Sequence, residues 1–116
     1  MPLNCSRGWK NAMIDLTPEQ METVRSILMA QVPGVEVRVF GSRVLGTARE
    51  HADLDLALVS GKPLEWREIE ALKDAFADSD LPFMVDILDW NTLSESFRSA
   101  IESCYELAQK PGLPAD

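Results

Sequence analysis

The stretch from Val39 to Val59 constrains this chain most, because it joins two apolar segments through a glycine–serine turn and a pair of aspartates. It reads VFGSRVLGTAREHADLDLALV, and Asp53 and Asp55 open its second apolar segment. Residues two apart in a β-strand point to the same face, about 6.5–7 Å apart along the strand. We therefore expect both carboxylates on one face and the leucines that alternate with them on the other.

The two carboxylates and the turn that precedes them suggest a joint binding site. Like charges at close range resist simultaneous ionisation, and a divalent metal ion is the usual counter-charge. Oxygen ligands without nearby His or Cys favour Mg²⁺ or Mn²⁺ over Zn²⁺. Gly41 lets the backbone approach a phosphate closely, and Ser42 offers a hydroxyl. Either motif alone is usually just a turn or a strand edge, but the joint pattern G-S-x10-D-x-D predicts a metal–triphosphate site.

Hydrophobic periodicity divides the rest of the chain into helices and strands. The first helix has the clearest start, because Thr17, Pro18 and Gln20 form the pattern of an N-cap with a capping box. The pattern predicts helices at 17–31, at 65–77 and from 93 through 108, a short helical turn at 43–46, and strands at 35–40, 54–59 and 83–88.

The segment FGSRVLGTAREHADLDLAL resembles the signature of the DNA polymerase β-like nucleotidyltransferases. In so short a chain it is most similar to their minimal nucleotidyltransferase (MNT) branch, and the resemblance covers roughly Val35 to Ile101. It implies the polymerase β-like palm, an α+β two-layer fold with a short mixed sheet and helices on one face. It also implies transfer of a nucleotide from an NTP to a hydroxyl, with two Mg²⁺ ions.

The MNT family carries a third carboxylate on a neighbouring strand, and Asp86 in PFMVDILDW is the candidate here. Phe83, Val85 and Ile87 would face the helices, which turns Asp86 to the other side. Since adjacent strands lie about 4.8 Å apart, three carboxylates can then converge. Asp89 has the opposite parity and is expected to be a turn residue.

The resemblance implies a role for each residue of the site. Its catalytic residues and metal ligands would be Asp53, Asp55 and Asp86, with Asp86 as the candidate general base; its nucleotide-binding residues would be Gly41, Ser42 and Arg43. Two positions depart from the family pattern: Leu45 replaces a second basic residue, and Ala52 stands where a serine often precedes the first aspartate. Neither change removes a metal ligand.

Length and charge limit the other classes of function. The 116 residues fit one domain, with a flexible leader at 1–15, the nucleotidyltransferase domain at 16–110 and a tail at 111–116. Nineteen acidic and eleven basic residues give a net charge of −8, which argues against a nucleic-acid partner, because such binding depends on clustered Lys and Arg.

The sequence predicts a cytoplasmic protein. No segment resembles a signal peptide, and no apolar run approaches the roughly 20 residues of a membrane span. Cys5 and Cys104 lack the spacing of a metal site, and reduced thiols are expected at both.

The resemblance also implies a partner. MNT proteins are typically paired with a small helical HEPN-type or substrate-binding protein, and in toxin–antitoxin pairs the MNT protein neutralises a HEPN ribonuclease. The predicted reaction is transfer of AMP from ATP to a hydroxyl of that partner. Two alternatives stay open. The first is a non-catalytic antitoxin that acts by binding. The second is an antibiotic-modifying transferase, which would need a second acceptor-binding lobe, and no segment of the chain resembles one.

Overall fold

The computed structural model describes residues 14–45, 52–61 and 64–112. Helices and strands alternate through most of this part of the chain. In chain order they are α1 (Pro18–Gln31), β1 (Glu36–Phe40), the short α2 (Ser42–Leu45), β2 (Leu54–Val59), α3 (Trp66–Ala77), β3 (Val85–Asp89), a 3₁₀ turn (Trp90–Thr92), α4 (Glu95–Glu102) and β4 (Glu106–Gln109).

The strands form one mixed sheet in the order β3-β2-β1-β4. β1 is antiparallel to both β2 and β4, whereas β2 and β3 are parallel. A parallel pair needs a crossover connection, and α3 supplies it. The predicted α+β fold with a short mixed sheet is therefore confirmed.

The first helix begins where its sequence indicates. The Thr17 hydroxyl accepts a hydrogen bond from the Gln20 backbone N–H at 3.1 Å, and the Gln20 side chain accepts one from the Thr17 backbone N–H at 3.0 Å. This capping box satisfies two of the backbone donors that a helix leaves unpaired at its start. Local hydrogen bonding thus sets the position of α1 before any packing is considered.

One face of the sheet carries the core, and the two long helices cover it. Apolar residues of α1, α3 and the inner strands meet there; they include Val24, Leu28, Leu72, Phe76, Val37, Val39, Leu54, Leu56, Leu58 and Ile87. Because alternate residues of β2 point to opposite faces, burying its leucines leaves Asp55 on the open face. The short α4 contacts that open face, where Phe97 packs edge-to-face on Phe40 with ring centroids 6.0 Å apart.

The prediction of one long C-terminal helix is wrong beyond Glu102. The chain turns at Ser103 and returns as β4, which pairs with the outer edge of β1. The Gln109 side-chain amide then donates to the backbone carbonyls of Val32 and Val35, both at 2.8 Å. The backbone N–H and C=O groups along the free edge of β1 form hydrogen bonds with β4. These hydrogen bonds stabilise a strand here although the local sequence has a helical period.

Three other expectations concern the ends of the chain and its cysteines. Cys104 is buried and disulfide-bonded, which contradicts the expected reduced thiol at that residue, and Cys5 lies outside the described residues. The predicted leader and tail also lie largely outside the described residues, so their boundaries stay predictions.

In the described ranges, none of the helices combines the length and apolarity needed to cross a membrane.

The leucine layer of β2 gives a direct test of this packing. Leu56 is fully buried, so Leu56→Ala is expected to lower the free energy of unfolding by about 2–5 kcal/mol through lost burial and a residual cavity. Chemical denaturation measures it. Met29→Ala is the control, since Met29 is 65% exposed on α1 and its truncation should change stability by about 0.5 kcal/mol or less. Equal losses in the two variants would contradict the assignment of Leu56 to the core.

Candidate active site

The register between β2 and β3 brings the acidic residues together. Asp55 lies directly beside Asp86 in the parallel pair, on the face opposite the leucine core. Asp53 precedes β2 and is exposed, and the Leu54 N–H donates to the Met84 carbonyl at 2.9 Å, which holds the start of β2 against β3. Asp86 is exposed while Ile87, the next residue, is buried. The structure therefore gives Asp55 and Asp86 the parity that the sequence predicts.

The negative charge of Asp55 is disfavoured at this position. The pKa of its carboxyl is raised from 3.8 to about 6, first by partial burial and then by the negative charges of Asp86 and Asp53. The largest cause is loss of hydration, which disfavours the charged form. A cation placed among the three carboxylates would relieve both causes.

The glycine–serine turn is packed directly on Asp55. Phe40, the last residue of β1, pairs with Asp55, and Gly41 follows with φ +85°. A Cβ added at Gly41 would lie 2.5 Å from Oδ2 of Asp55. Only glycine fits both the backbone conformation and the close approach. Ser42 then begins α2 next to this contact, so the turn lies against the Asp55 carboxylate.

The side chain of Arg43, predicted to bind phosphate, is buried and bonded to the backbone. The residue is 5% exposed, and its guanidinium donates from Nε to the Ala52 carbonyl at 3.0 Å and from Nη1 to the Asp15 carbonyl at 2.7 Å. The ring of Phe83 lies 4.3 Å from its central carbon. These contacts favour a structural role over a phosphate contact by the guanidinium. No sequence pattern indicates these contacts, because the three partners of Arg43 come from distant parts of the chain.

Asp89 is a structural residue, as its parity suggests. Its buried carboxylate accepts hydrogen bonds from the backbone N–H of Asn91 at 3.0 Å and of Leu64 at 3.3 Å. It thereby caps the 3₁₀ turn after β3 and fixes the segment that enters α3. The side chain of Leu45 lies outside the described part of the structure.

The acidic cluster is not a ready-made metal cage. Within the described ranges, no three His, Cys, Asp or Glu side chains are arranged to hold a metal ion as they stand. Mg²⁺ commonly binds one or two carboxylates and completes its shell with waters and substrate phosphates. The neighbouring oxygen donors of Asp55 and Asp86 fit that mode, in which the ion and the nucleotide bind together.

Comparison with known proteins agrees with this geometry. The family model described as "Polymerase beta, Nucleotidyltransferase" matches residues 22–107, which include the turn and all three aspartates. The chain belongs to this family. A probable protein adenylyltransferase, MntA of Haemophilus influenzae, is 46% identical to this nucleotidyltransferase over 99 residues, 85% of this chain and 87% of the relative.

Solved structures share the polymerase beta nucleotidyltransferase fold. A crystal structure of a toxin–antitoxin with AMP-PNP superposes with a TM-score of 0.66 at 21% identity, over 78% of this chain and 73% of the other. A tri-AMPylated Shewanella oneidensis HEPN toxin in complex with its MNT antitoxin gives a TM-score of 0.55 at 18% identity, over 82% and 73% of the two chains. At these identities the likeness supports the fold.

Replacing the glycine of the turn tests its contact with Asp55. We expect Gly41→Ala to lower the free energy of unfolding by about 1–2 kcal/mol, because an L-residue is strained at positive φ. It should also abolish nucleotidyl transfer, because the new methyl group displaces the Asp55 carboxylate. Denaturation and an activity assay measure the two effects. In the control Gly61→Ala the added Cβ meets nothing within 4 Å, so identical behaviour of the two variants would refute this role of Gly41.

The raised pKa of Asp55 predicts how stability depends on pH without metal ions. Between its unfolded value of 3.8 and its folded value of about 6, the folded state binds more protons, so this carboxyl makes stability fall as pH rises. Asp55→Asn stays neutral and should unfold at higher denaturant than wild type above the folded pKa. The difference should disappear below the unfolded pKa. Denaturation in EDTA across this range measures it, and a gap that does not change with pH would contradict the assignment.

Proposed function

We propose that this protein transfers AMP from ATP to a hydroxyl group of a partner protein, in a reaction that requires Mg²⁺. The observation that carries the proposal is the placement of Asp55 beside Asp86, with the Gly41 turn packed on the same carboxylate. The 46% identity to a probable protein adenylyltransferase supports AMP as the transferred group. The nucleotide is then the substrate, and the acceptor comes from outside this chain.

The transfer is an in-line displacement at the α-phosphorus. The acceptor hydroxyl oxygen forms a bond to this phosphorus, the bond to the pyrophosphate oxygen breaks, and the hydroxyl proton passes to Asp86 or to solvent. Asp53, Asp55 and Asp86 would hold Mg²⁺, which when bound lowers the pKa of the acceptor hydroxyl and neutralises charge on the leaving pyrophosphate. Asp86 is exposed, so an incoming side chain can reach it.

The phosphate end of the nucleotide is assigned to the turn. Gly41 presents backbone without a side chain, and Ser42 adds a hydroxyl for the β- and γ-phosphates. Arg43 contributes by holding the turn, since its guanidinium bonds the carbonyls of Asp15 and Ala52. This assignment replaces the direct phosphate contact predicted for that side chain.

We further propose that the acceptor is a helical HEPN-type toxin and that this chain is its antitoxin. Structural relatives of the fold include toxin–antitoxin complexes, one of them with an AMPylated HEPN toxin. The net charge of −8 suits a protein acceptor better than a nucleic acid. The cytoplasmic location inferred from the sequence stays a prediction.

Label transfer tests the reaction. The protein is incubated with α-³²P-labelled ATP, Mg²⁺ and a HEPN-type toxin, and we expect label on the toxin. EDTA should abolish transfer. Asp86→Asn and the double variant Asp53→Asn with Asp55→Asn should lower it by at least about 100-fold, the scale of lost acid–base or metal catalysis. Asp89→Asn is an unsuitable control because its carboxylate is a structural cap; Asp78→Asn, at the exposed end of α3, is the matched one.

Two outcomes would reject the proposal. One is the absence of label transfer by the wild type with its partner present. The other is equal transfer by the double variant. If toxin neutralisation then persists in the double variant, the protein acts as a non-catalytic antitoxin that binds and occludes its partner.

A further inference from the structure

An aromatic pair stands on the open face of the sheet beside the carboxylates. Phe97 of α4 contacts Phe40 of β1 edge-to-face, with ring centroids 6.0 Å apart and ring planes at 88°. Phe40 is the direct cross-strand neighbour of Asp55, so the pair lies level with the reacting groups. Phe97 is 41% exposed although it is a large apolar residue, and much of its ring is free to contact a ligand.

The pair belongs to a wall that runs along β1. Phe97 meets Phe40, and five residues later Glu102 approaches Nη1 of Arg38 at 3.8 Å. Five helical residues rise about 7.5 Å, close to the roughly 6.6 Å between two alternate strand residues. α4 therefore runs alongside β1 in the opposite direction, with Phe97 at the end nearest the carboxylates.

The far end of this wall is fixed in place. The guanidinium of Arg38 lies 4.7 Å from the ring centroid of Trp90 and 4.4 Å from that of Tyr105, between the segments that flank α4. Arg98 of α4 also donates from Nε to the Trp90 carbonyl at 3.0 Å. The position of Phe97 is thus set by contacts outside the site, and its exposed surface is available without rearrangement.

The strand order indicates whether the aromatic pair lies beside the nucleotide or beside the acceptor. Asp55 has Phe40 on one side and Asp86 on the other. In an in-line displacement the acceptor and the leaving pyrophosphate lie on opposite sides of the α-phosphorus. With the pyrophosphate at the Gly41 turn, on the β1 side, the acceptor enters on the β3 side. The aromatic pair then lies in the half of the site that holds the nucleotide.

We propose that Phe97, supported from below by Phe40, stacks on the base of the bound nucleotide. The inference rests on the proposed function, which puts the phosphates at the turn that follows Phe40. Nucleobases stack on aromatic side chains, because every base offers a flat apolar face. Phe97 would therefore strengthen binding of any nucleoside triphosphate, and it would contribute nothing to binding of the phosphates themselves.

Binding of a nucleotide that cannot be transferred tests this contact. The probe is α,β-methylene ATP with Mg²⁺, measured by calorimetry on the full chain. Loss of one base–aromatic stack weakens binding by about 5- to 150-fold, and we expect this change for Phe97→Ala. Inorganic tripolyphosphate, which has no base, should bind wild type and Phe97→Ala with equal affinity. Phe97→Tyr, which keeps a flat ring, should retain the wild-type affinity for the nucleotide.

The control variant removes an exposed aromatic side chain elsewhere. Trp66 is 71% exposed on α3, in the helical layer that covers the core face, so Trp66→Ala should leave nucleotide binding unchanged. Phe97→Leu keeps apolar packing on Phe40 without a ring and should weaken nucleotide binding as the alanine variant does. Circular dichroism of each variant establishes that α4 has formed.

Three results would overturn the inference. The first is that Phe97→Ala leaves the nucleotide affinity unchanged while the KM for the partner protein rises. This result would show that the aromatic pair contacts the acceptor and not the base. The second is equal weakening of tripolyphosphate and nucleotide, which is the result of a purely structural role. The third is full affinity in Phe97→Leu. Wild type that binds the analogue but transfers no AMP from ATP contradicts the proposed function alone, whereas wild type that binds no analogue contradicts both.

Discussion

Partial burial of one carboxylate beside two others is the constraint on which the site depends. Asp55 is the residue most affected, since it is partly buried and lies beside Asp86, and its raised pKa records the resulting penalty. The fold tolerates this arrangement because the opposite face of the same strand carries a fully buried leucine layer. Burial of those leucines stabilises β2 in one register, and a shift of one residue would exchange the two faces. The hydrophobic core on one face of the sheet thus fixes the positions of the carboxylates on the other face.

Charged residues around the site divide into two groups by burial and hydrogen bonding. Asp53 and Asp86 are exposed and free to meet an ion or a substrate, whereas Arg43 and Asp89 are buried and bonded to the backbone. Arg43 ties the turn to the segments before α1 and β2, and Asp89 ties the end of β3 to the entry of α3. Buried charges of this kind are stable only when their hydrogen bonds are satisfied, so these two residues act as fixed supports. They hold the backbone that presents the functional groups.

The order of the strands gives the site a direction. β1 delivers the chain to the phosphate turn, β2 carries the central carboxylate, and β3 carries the carboxylate nearest the acceptor in the proposed reaction. α4 stands over β1, where Phe97 contacts Phe40 and Glu102 approaches Arg38. The proposed nucleotide site is built from residues of this chain. In the proposed reaction the acceptor is a hydroxyl group of a second protein.

Features that depend on short-range rules can be predicted from the amino-acid sequence. The capping box sets the start of α1, the alternation of apolar residues predicts β1 and β2, and strand parity predicts that Asp55 and Asp86 share a face. Other features depend on contacts between distant segments. Residues 106–109 have a helical period but form β4, because they pair with the edge of β1. The motif assigns Arg43 to phosphate binding, but its guanidinium donates to the carbonyls of Asp15 and Ala52. The contact between Phe40 and Phe97 is of the same kind, since it joins residues far apart in the chain. Periodicity and capping act within a few residues, whereas edge pairing and buried hydrogen bonds depend on which distant segments the folded chain brings together.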